Sequence, residues 1–375
     1  MVNKKINLAF FSNTRSEFGL INQILREIKK NKKFKYEIFL SGTHFSKQYG
    51  NSISEIKSKY INYQKIFEYN TQNSREKDII ENISLNSIKL SKKFSKIFQN
   101  IDYVILFGDR IDLIPIMLNC VIYNKKIIHF GGGEETKGSI DNKIRKIISS
   151  VSNFHFVSAN KYKNNLIKFG ISKKNIFVVG TLSVEKKMKF NQKSLFLKNI
   201  KNKNLVSLTY HPTILKNSIT EINQIKIILN ALEKFKEKIF VIINSPGYEK
   251  NSEKIIKFLE KWTIGKKNYR FCRSLGISNY TNLIKKSKFI IGNSSSGVIM
   301  APFFNIPSIN IGNRQEGRLL HNTVINCELN ESKIIFEIKK ILENKKKIKK
   351  VKFLLGDGNA AKKSMKILNR ILSKQ

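Results

Sequence analysis

Residues 289–302 read FIIGNSSSGVIMAP. A short apolar run, Phe289–Ile291, passes through a small polar loop into an apolar segment of helical spacing, Gly297–Phe304. Strand, tight loop and helix form the half-unit of a parallel sheet wound by helices. The same half-unit recurs on both sides of this stretch. Downstream come a strand at Ser308–Ile311 and a helix at Glu331–Glu343. Upstream, strands are expected at Leu205–Leu208, Ile239–Ile243 and Tyr269–Cys272, with helices at Thr220–Phe235, Asn251–Trp262 and Tyr280–Lys286. The first half of the chain repeats the pattern, with strands at Ile6–Phe11, Tyr36–Leu40, Tyr103–Phe107, Lys126–Phe130, Phe154–Val157 and Ile176–Val179. Helical spacing fills the intervals, including Arg75–Phe98, Ile114–Tyr123, Asp141–Ser152 and Lys161–Phe169. A polar, Lys-rich stretch near Glu185–Lys203 separates the halves. The fold class is therefore α/β, with two doubly wound Rossmann-like domains facing a cleft. Their expected limits are 1–184 and 185–355, with 356–375 a C-terminal helix free to return to the first domain.

The chain of 375 residues exceeds what a single core usually supports, in keeping with two domains. Its net charge is +43, from 70 basic and 27 acidic residues. Ten of the basic residues are Arg and sixty are Lys, spread along the whole chain with abundant Ile and Asn. That is the signature of an AT-rich coding bias rather than of a nucleic-acid-binding tail, and no nucleic-acid motif accompanies it. The positive field would still draw in an anionic substrate. Cys120, Cys272 and Cys327 are too far apart for a disulfide framework or a zinc ribbon. No apolar run reaches the ~18 residues that span a bilayer. The expectation is a cytoplasmic protein with no membrane or nucleic-acid partner.

In doubly wound sheets ligands lie beyond the carboxyl ends of the strands. Asn293-Ser294-Ser295-Ser296-Gly297 occupies such a place, where free N–H groups and hydroxyls at a helix start suit a phosphate. One Ser would suffice as a plain helix cap; three and a Gly favour a ligand close to the backbone. No Gly-Lys-Ser/Thr follows, so this is not a Walker loop. The other loop-rich stretch is HFGGGEETKGSIDNKIR, residues 129–145. Three Gly permit a tight turn and close ligand approach. Glu134 and Asp141, with Asp109 after the preceding strand, form an acidic cluster in which crowding would push one pKa up. Glu135 alone reads as a solvent-facing loop charge, and Asp141 could simply start its helix. His residues number only five, and His44 and His211 closely follow strands. Arg15, Arg110, Arg145, Arg314 and Arg318 all fall in loops or helix entries, as bidentate anion recognition would require. No His spacing suits a metal site.

Read in order, SNTRSEFGL (12–20), SGTHFSKQYGNS (41–52), FGDR (107–110), the 129–145 stretch, TYHPT (209–213), GNSSSGVIMAP (292–302), NIGNRQEGR (310–318) and GDGNAA (356–361) resemble the hydrolysing UDP-N-acetylglucosamine 2-epimerases of sialic and legionaminic acid synthesis. The resemblance spans nearly the whole chain. It implies a glycosyltransferase-B-type fold and a nucleotide-sugar substrate. The product would be free N-acetylmannosamine-type sugar plus nucleoside diphosphate, formed by elimination and hydration. It implies no cofactor, no metal and a homo-oligomer, dimer or tetramer. Asp109, Glu134 and Asp141 would be catalytic. Arg15, His211 and Ser294 would contact the diphosphate, with Ser295, Ser296 and Gly297 completing that loop and Tyr280 stacking on the base. His44, Arg314 and Arg318 lie in shared motifs and join the binding set. Two positions depart from the family: Met300 replaces a Glu that would meet the ribose, leaving UDP against GDP open, and Lys146 replaces a His. A glycosyltransferase of the same architecture would need an acceptor site, and a non-catalytic nucleotide-sugar binder would not need the carboxylates.

Overall fold

The computed structural model describes residues 5–57, 62–137, 139–185, 200, 203–213, 219–344 and 352–372. The first sheet holds β1 (Ile6–Ser12), β2 (Phe34–Gly42), β3 (Gln64–Glu68), β4 (Tyr103–Phe107), β5 (Lys126–Phe130), β6 (Phe154–Val157) and β7 (Ile176–Val178). Its order is β3-β2-β1-β4-β5-β6-β7. The second holds β8 (Asn204–Thr209), β9 (Ile239–Asn244), β10 (Tyr269–Cys272), β11 (Phe289–Gly292), β12 (Ser308–Ile311) and β13 (Val324–Cys327), in the order β10-β9-β8-β11-β12-β13. All these pairings are parallel. The helices are α1 (Arg15–Ile28), α2 (Ile53–Lys57), α3 (Glu76–Phe98), α4 (Ile114–Ile122), α5 (Asp141–Val151), α6 (Asn160–Lys168), α7 (Glu221–Glu233), α8 (Ser252–Trp262), α9 (Gly276–Lys286), α10 (Ser295–Phe303), α11 (Glu331–Leu342) and α12 (Ala360–Leu372). The architecture is thus two doubly wound Rossmann-like sheets. No helix among the described residues is long and apolar enough to cross a membrane.

The central strands are buried on both faces, which is why they read as unbroken apolar runs. In the first sheet, register aligns Phe107, Phe130, Phe156 and Phe177. The first three rings stack at 4.9 and 4.7 Å, and Phe177 lies tilted against Phe156 at 5.4 Å. Two strands lie outside the sequence expectation, β3 and β13, and both are edge strands. Of QKIFE only Ile66 is buried, so the strand carries no continuous apolar signal. Helix α9 begins at Gly276, one turn ahead of the expected Tyr280, because the Gly276 φ of 68° lets the chain turn in there. The expected linker, Glu185–Lys203, lies for the most part outside the described residues. Beside it the two crossings run together, Thr181 donating to the Leu355 carbonyl at 2.8 Å. Helix α12 then packs on α1, burying Met365, Leu368 and Leu372 with Ile21, Ile24 and Ile28.

Three histidines are fully buried in the first domain, His44, His129 and His155. Burial pushes their pKa values down to about 3, 4 and 3. The unfolded chain, with ordinary values near 6.5, binds the protons that the folded chain refuses. The stability they contribute is therefore intact above pH ~6.5 and lost as pH falls toward 4. Replacing His155 by Leu should flatten this dependence near pH 5 by about 1.4 kcal/mol per pH unit, the linkage of one proton. Urea unfolding at pH 7, 6 and 5 measures the slope, and an unchanged slope would contradict the assignment.

Candidate functional site

In each sheet the strand order reverses once, between β1 and β4 and between β8 and β11. Helices leave to opposite sides at such a switch point and open a crevice there. Arg15 follows β1, Asp109 follows β4, His211 follows β8 and Ser294 follows β11. All four line one cavity of about 840 Å³ between the domains, together with Glu134, Tyr280, Ser295, Ser296, Met300 and Arg318.

The loop before Arg15 is held rigidly. The Glu17 carboxylate accepts from the N–H groups of Asn13 at 2.7 Å and Thr14 at 3.0 Å, closing the start of α1. Burial, with Asp112 nearby, pushes the Glu17 carboxyl up to about 7 despite those N–H groups and Arg110. Arg15 Nη1 is buried and has no hydrogen-bond partner among the described residues. Opposite it, Ser294 caps α10. Its Oγ accepts from the Ser296 N–H at 3.4 Å, and the Tyr280 hydroxyl lies 2.6 Å from Ser296 Oγ. The N-termini of α1 and α10, one from each domain, thus open onto the same space, with their partial positive charge.

Each of the three expected catalytic carboxylates faces an arginine. Asp109 pairs with Arg145, whose side chain is 2% exposed and also donates to the Glu134 carbonyl at 2.8 Å. Glu134 pairs with Arg318 at 3.1 Å and accepts from Ser158 at 3.3 Å. Asp141 Oδ2 is 3.8 Å from Arg314. Arg314 and Arg318 come from the second domain and reach across the cleft. The crowding of carboxylates expected from the sequence is replaced by this one-to-one pairing. Asp141 is set back from the cavity wall, in the first turn of α5.

Several expected binding residues have other tasks. His44 is 0% exposed and does not line the cavity. Its ring nitrogens lie 2.8 Å from Ser12 Oγ and 2.7 Å from Ser52 Oγ, so it ties β1 to the segment before α2. Gly297 makes no room for a ligand, since an added Cβ would come within 2.7 Å of Ser308 Oγ on β12. Gly133 likewise has a φ of 75°, and a Cβ there would run into the Tyr162 carbonyl of α6. These close approaches are between protein segments. Lys146 is exposed on α5, while its neighbour Arg145 turns inward.

Glu249 emerges only from the structure, which also supplies the partners of Asn293 and Arg110. Glu249, in the loop after β9, accepts from His211 Nδ1 at 2.9 Å and lies 3.4 Å from Arg314 Nη2. Asn293 brackets the His211 main chain, accepting from its N–H at 2.7 Å and donating to its carbonyl at 2.8 Å. Arg110 pairs with Asp112 at 2.7 Å and crosses to the Tyr248 carbonyl at 3.3 Å. The position of Glu249 just past a strand end was the available signal, obscured because it stands alone among Pro, Gly and Tyr.

A model of the UDP-N-acetylglucosamine 2-epimerase family matches residues 26–369. The chain belongs to this family. It is 32% identical over 343 residues to the GDP/UDP-N,N'-diacetylbacillosamine 2-epimerase (hydrolysing) of Campylobacter jejuni, covering 89% of this chain and 87% of that protein. It is 28% identical to the polysialic acid biosynthesis protein P7 of Escherichia coli, covering 88% and 84% of the two chains. Its fold matches that of a complex of S. aureus MnaA with UDP with a TM-score of 0.79, over 99% and 97% of the two chains at 15% identity. The family match contains the three carboxylates and their arginines; Arg15 precedes it.

The pair of buried Arg145 and half-buried Asp109 makes a stability test within this 2-epimerase. Arg145→Met should lower the unfolding free energy by about 1–3 kcal/mol, less than for a fully buried pair because the Asp109 left behind faces the cavity. Asp109→Asn added to Arg145→Met should restore part of the loss. Urea denaturation of the two single variants and the double variant measures the coupling, and strictly additive losses would contradict the pairing.

Proposed function

We propose that this 2-epimerase is of the hydrolysing kind, acting on UDP-N-acetylglucosamine or a closely related UDP- or GDP-linked 2-acetamido sugar. It would release an N-acetylmannosamine-type free sugar and the nucleoside diphosphate, for nonulosonic acid synthesis. The observation that carries this reading is Arg15, half-buried with its Nη1 donor unsatisfied among the described residues, in a cavity shared with the Ser294–Ser296 helix start, Asp109 and Glu134. A guanidinium and two helix N-termini suit a diphosphate, and the carboxylates beside it suit proton transfer at a sugar carbon. The names of the Campylobacter and Escherichia relatives support the diacetamido sugars and the sialic acid pathway, respectively.

In this mechanism a carboxylate removes the C2 proton while the C1–O bond to the diphosphate breaks, leaving a C1–C2 double bond. Water then adds at C1, and a proton returns to C2 on the opposite face. One water is consumed, and the products are the nucleoside diphosphate and the C2-inverted sugar. Asp109, Glu134 and Asp141 share the proton transfers. Arg15, His211, Ser294, Ser295 and Ser296 hold the diphosphate, and Tyr280 meets the base. Arg318 would exchange carboxylate for diphosphate as the ligand arrives, freeing Glu134, and a shift of Arg314 would open Asp141 to the cavity. The reading includes a cytoplasmic location, supported by three free cysteines. It also includes a homo-oligomer, supported by the exposed Ile80, Ile88, Leu118, Val121 and Ile122 on adjacent helices α3 and α4.

Incubation with UDP-N-acetylglucosamine and with UDP- and GDP-linked diacetamido sugars, followed by NMR, tests the activity. At least one should yield free nucleoside diphosphate and free C2-inverted sugar. An epimerised sugar still joined to its nucleotide would refute the hydrolysing mode. Asp109→Asn, Glu134→Gln and Asp141→Asn should each lower turnover about 100-fold or more, as loss of general acid–base catalysis does. If two of the three keep near-normal turnover, the roles are misassigned.

A further inference from the structure

His211 is the one histidine of the second domain that lines the cavity, and its ring is not free to turn. Glu249 Oε1 meets Nδ1 at 2.9 Å, and Asn293 clamps the main chain on both sides. An ionised carboxylate can only accept, so Nδ1 must carry a proton, and Nε2 is the nitrogen left for a ligand, to which it donates when it is protonated as well. Burial pushes the Glu249 carboxyl up, but His211, Arg314 and Arg110 outweigh it and hold it well below the usual carboxylate range. Glu249 itself stands behind the cavity wall.

The loop that carries Glu249 is pinned from the other domain. Asn82 donates to the Tyr248 hydroxyl at 2.9 Å, Arg110 donates to the Tyr248 carbonyl at 3.3 Å, and the Asn251 N–H donates to the Ser74 carbonyl at 3.0 Å. On its own side, the Glu249 N–H donates to Ser252 Oγ at 3.3 Å. One oxygen of Glu249 therefore aligns a histidine and Arg314, in a place fixed by contacts to both domains.

We propose that Glu249 is a positioning residue for diphosphate binding: it holds the Nδ1–H of His211 from behind, with Arg314 engaged beside it, so that the ring, protonated on Nε2 as well when the diphosphate arrives, donates to the ligand already aligned. The proposal rests on the nucleotide-binding reading above and gives Glu249 no contact with the sugar. In such arrangements the partner behind a histidine sets its tautomer and orientation.

The test uses the full chain with 15N-labelled histidine. In the wild type with pyrophosphate bound, the His211 resonances should show both ring nitrogens protonated. Glu249→Ala should shift them toward the neutral, Nε2-protonated ring and weaken both UDP and inorganic pyrophosphate about tenfold or more, as loss of a charge-assisted alignment does. Glu249→Gln keeps an acceptor, so it should preserve the protonated Nδ1 and weaken both ligands by a smaller factor. It also carries the test should the Ala variant fail to fold. An Ala variant with the wild-type resonances, or either variant with wild-type affinities, would overturn the proposal. A wild type that binds pyrophosphate in this Glu249-dependent way but turns over no nucleotide-sugar would support the proposal and sink the epimerase reading.

Discussion

Every strand in both sheets is parallel, so each must be followed by a crossover, and each crossover leaves from the same edge of its sheet. Where the strand order reverses, two crossovers depart to opposite faces and their loops part. This happens between β1 and β4 and again between β8 and β11. Arg15 and Asp109 stand at one parting, His211 and Ser294 at the other. Neither crevice could enclose a ligand alone. Turned toward each other they form one cavity, and the residues that line it are those that the winding forces to the strand ends.

Charge is then distributed across that cavity rather than within either half. Glu134 of the first domain meets Arg318 of the second at 3.1 Å, and Arg314 of the second stands between Asp141 of the first and Glu249 of its own domain. Arg110 of the first domain touches the main chain beside Glu249. Low dielectric makes each of these pairs strong when made and costly when stripped. In the proposed reading, a diphosphate entering the cavity would add negative charge where guanidinium groups are already engaged, and the pairs would rearrange around it. The same constraint explains why this Lys-rich chain keeps Arg at these positions, since a planar fork can change partners without leaving its place.

The fold was legible because the interior strands are buried on both sides and leave unbroken apolar runs. The edge strands β3 and β13 were not, because exposure lets polar residues into them. The loops after β1, β4, β8 and β11 stand out in the sequence, because rare Arg, His and clustered Ser contrast with Lys, Ile and Asn, and the fold brings them to one cavity. What sequence could not supply was partnership. Glu134 and Arg318 are 184 positions apart, and nothing local marks them as a pair. Two of the glycines hide partners in the same way. Gly133 and Gly297 look like room for a ligand, but the space they leave is filled by α6 and β12. His44 shows the converse case: its loop belongs to the site, while its ring belongs to the core.

The central claim is that proton transfer at C2 accompanies loss of the diphosphate. It is tested most directly by running the reaction in deuterated water and reading the isotope at C2 of the released sugar. Elimination followed by hydration exchanges the original proton, so the free C2-inverted sugar should carry deuterium at C2, with one nucleoside diphosphate released per sugar. A released sugar that retains its original C2 proton would contradict the account, since no base in the cavity would then have removed it.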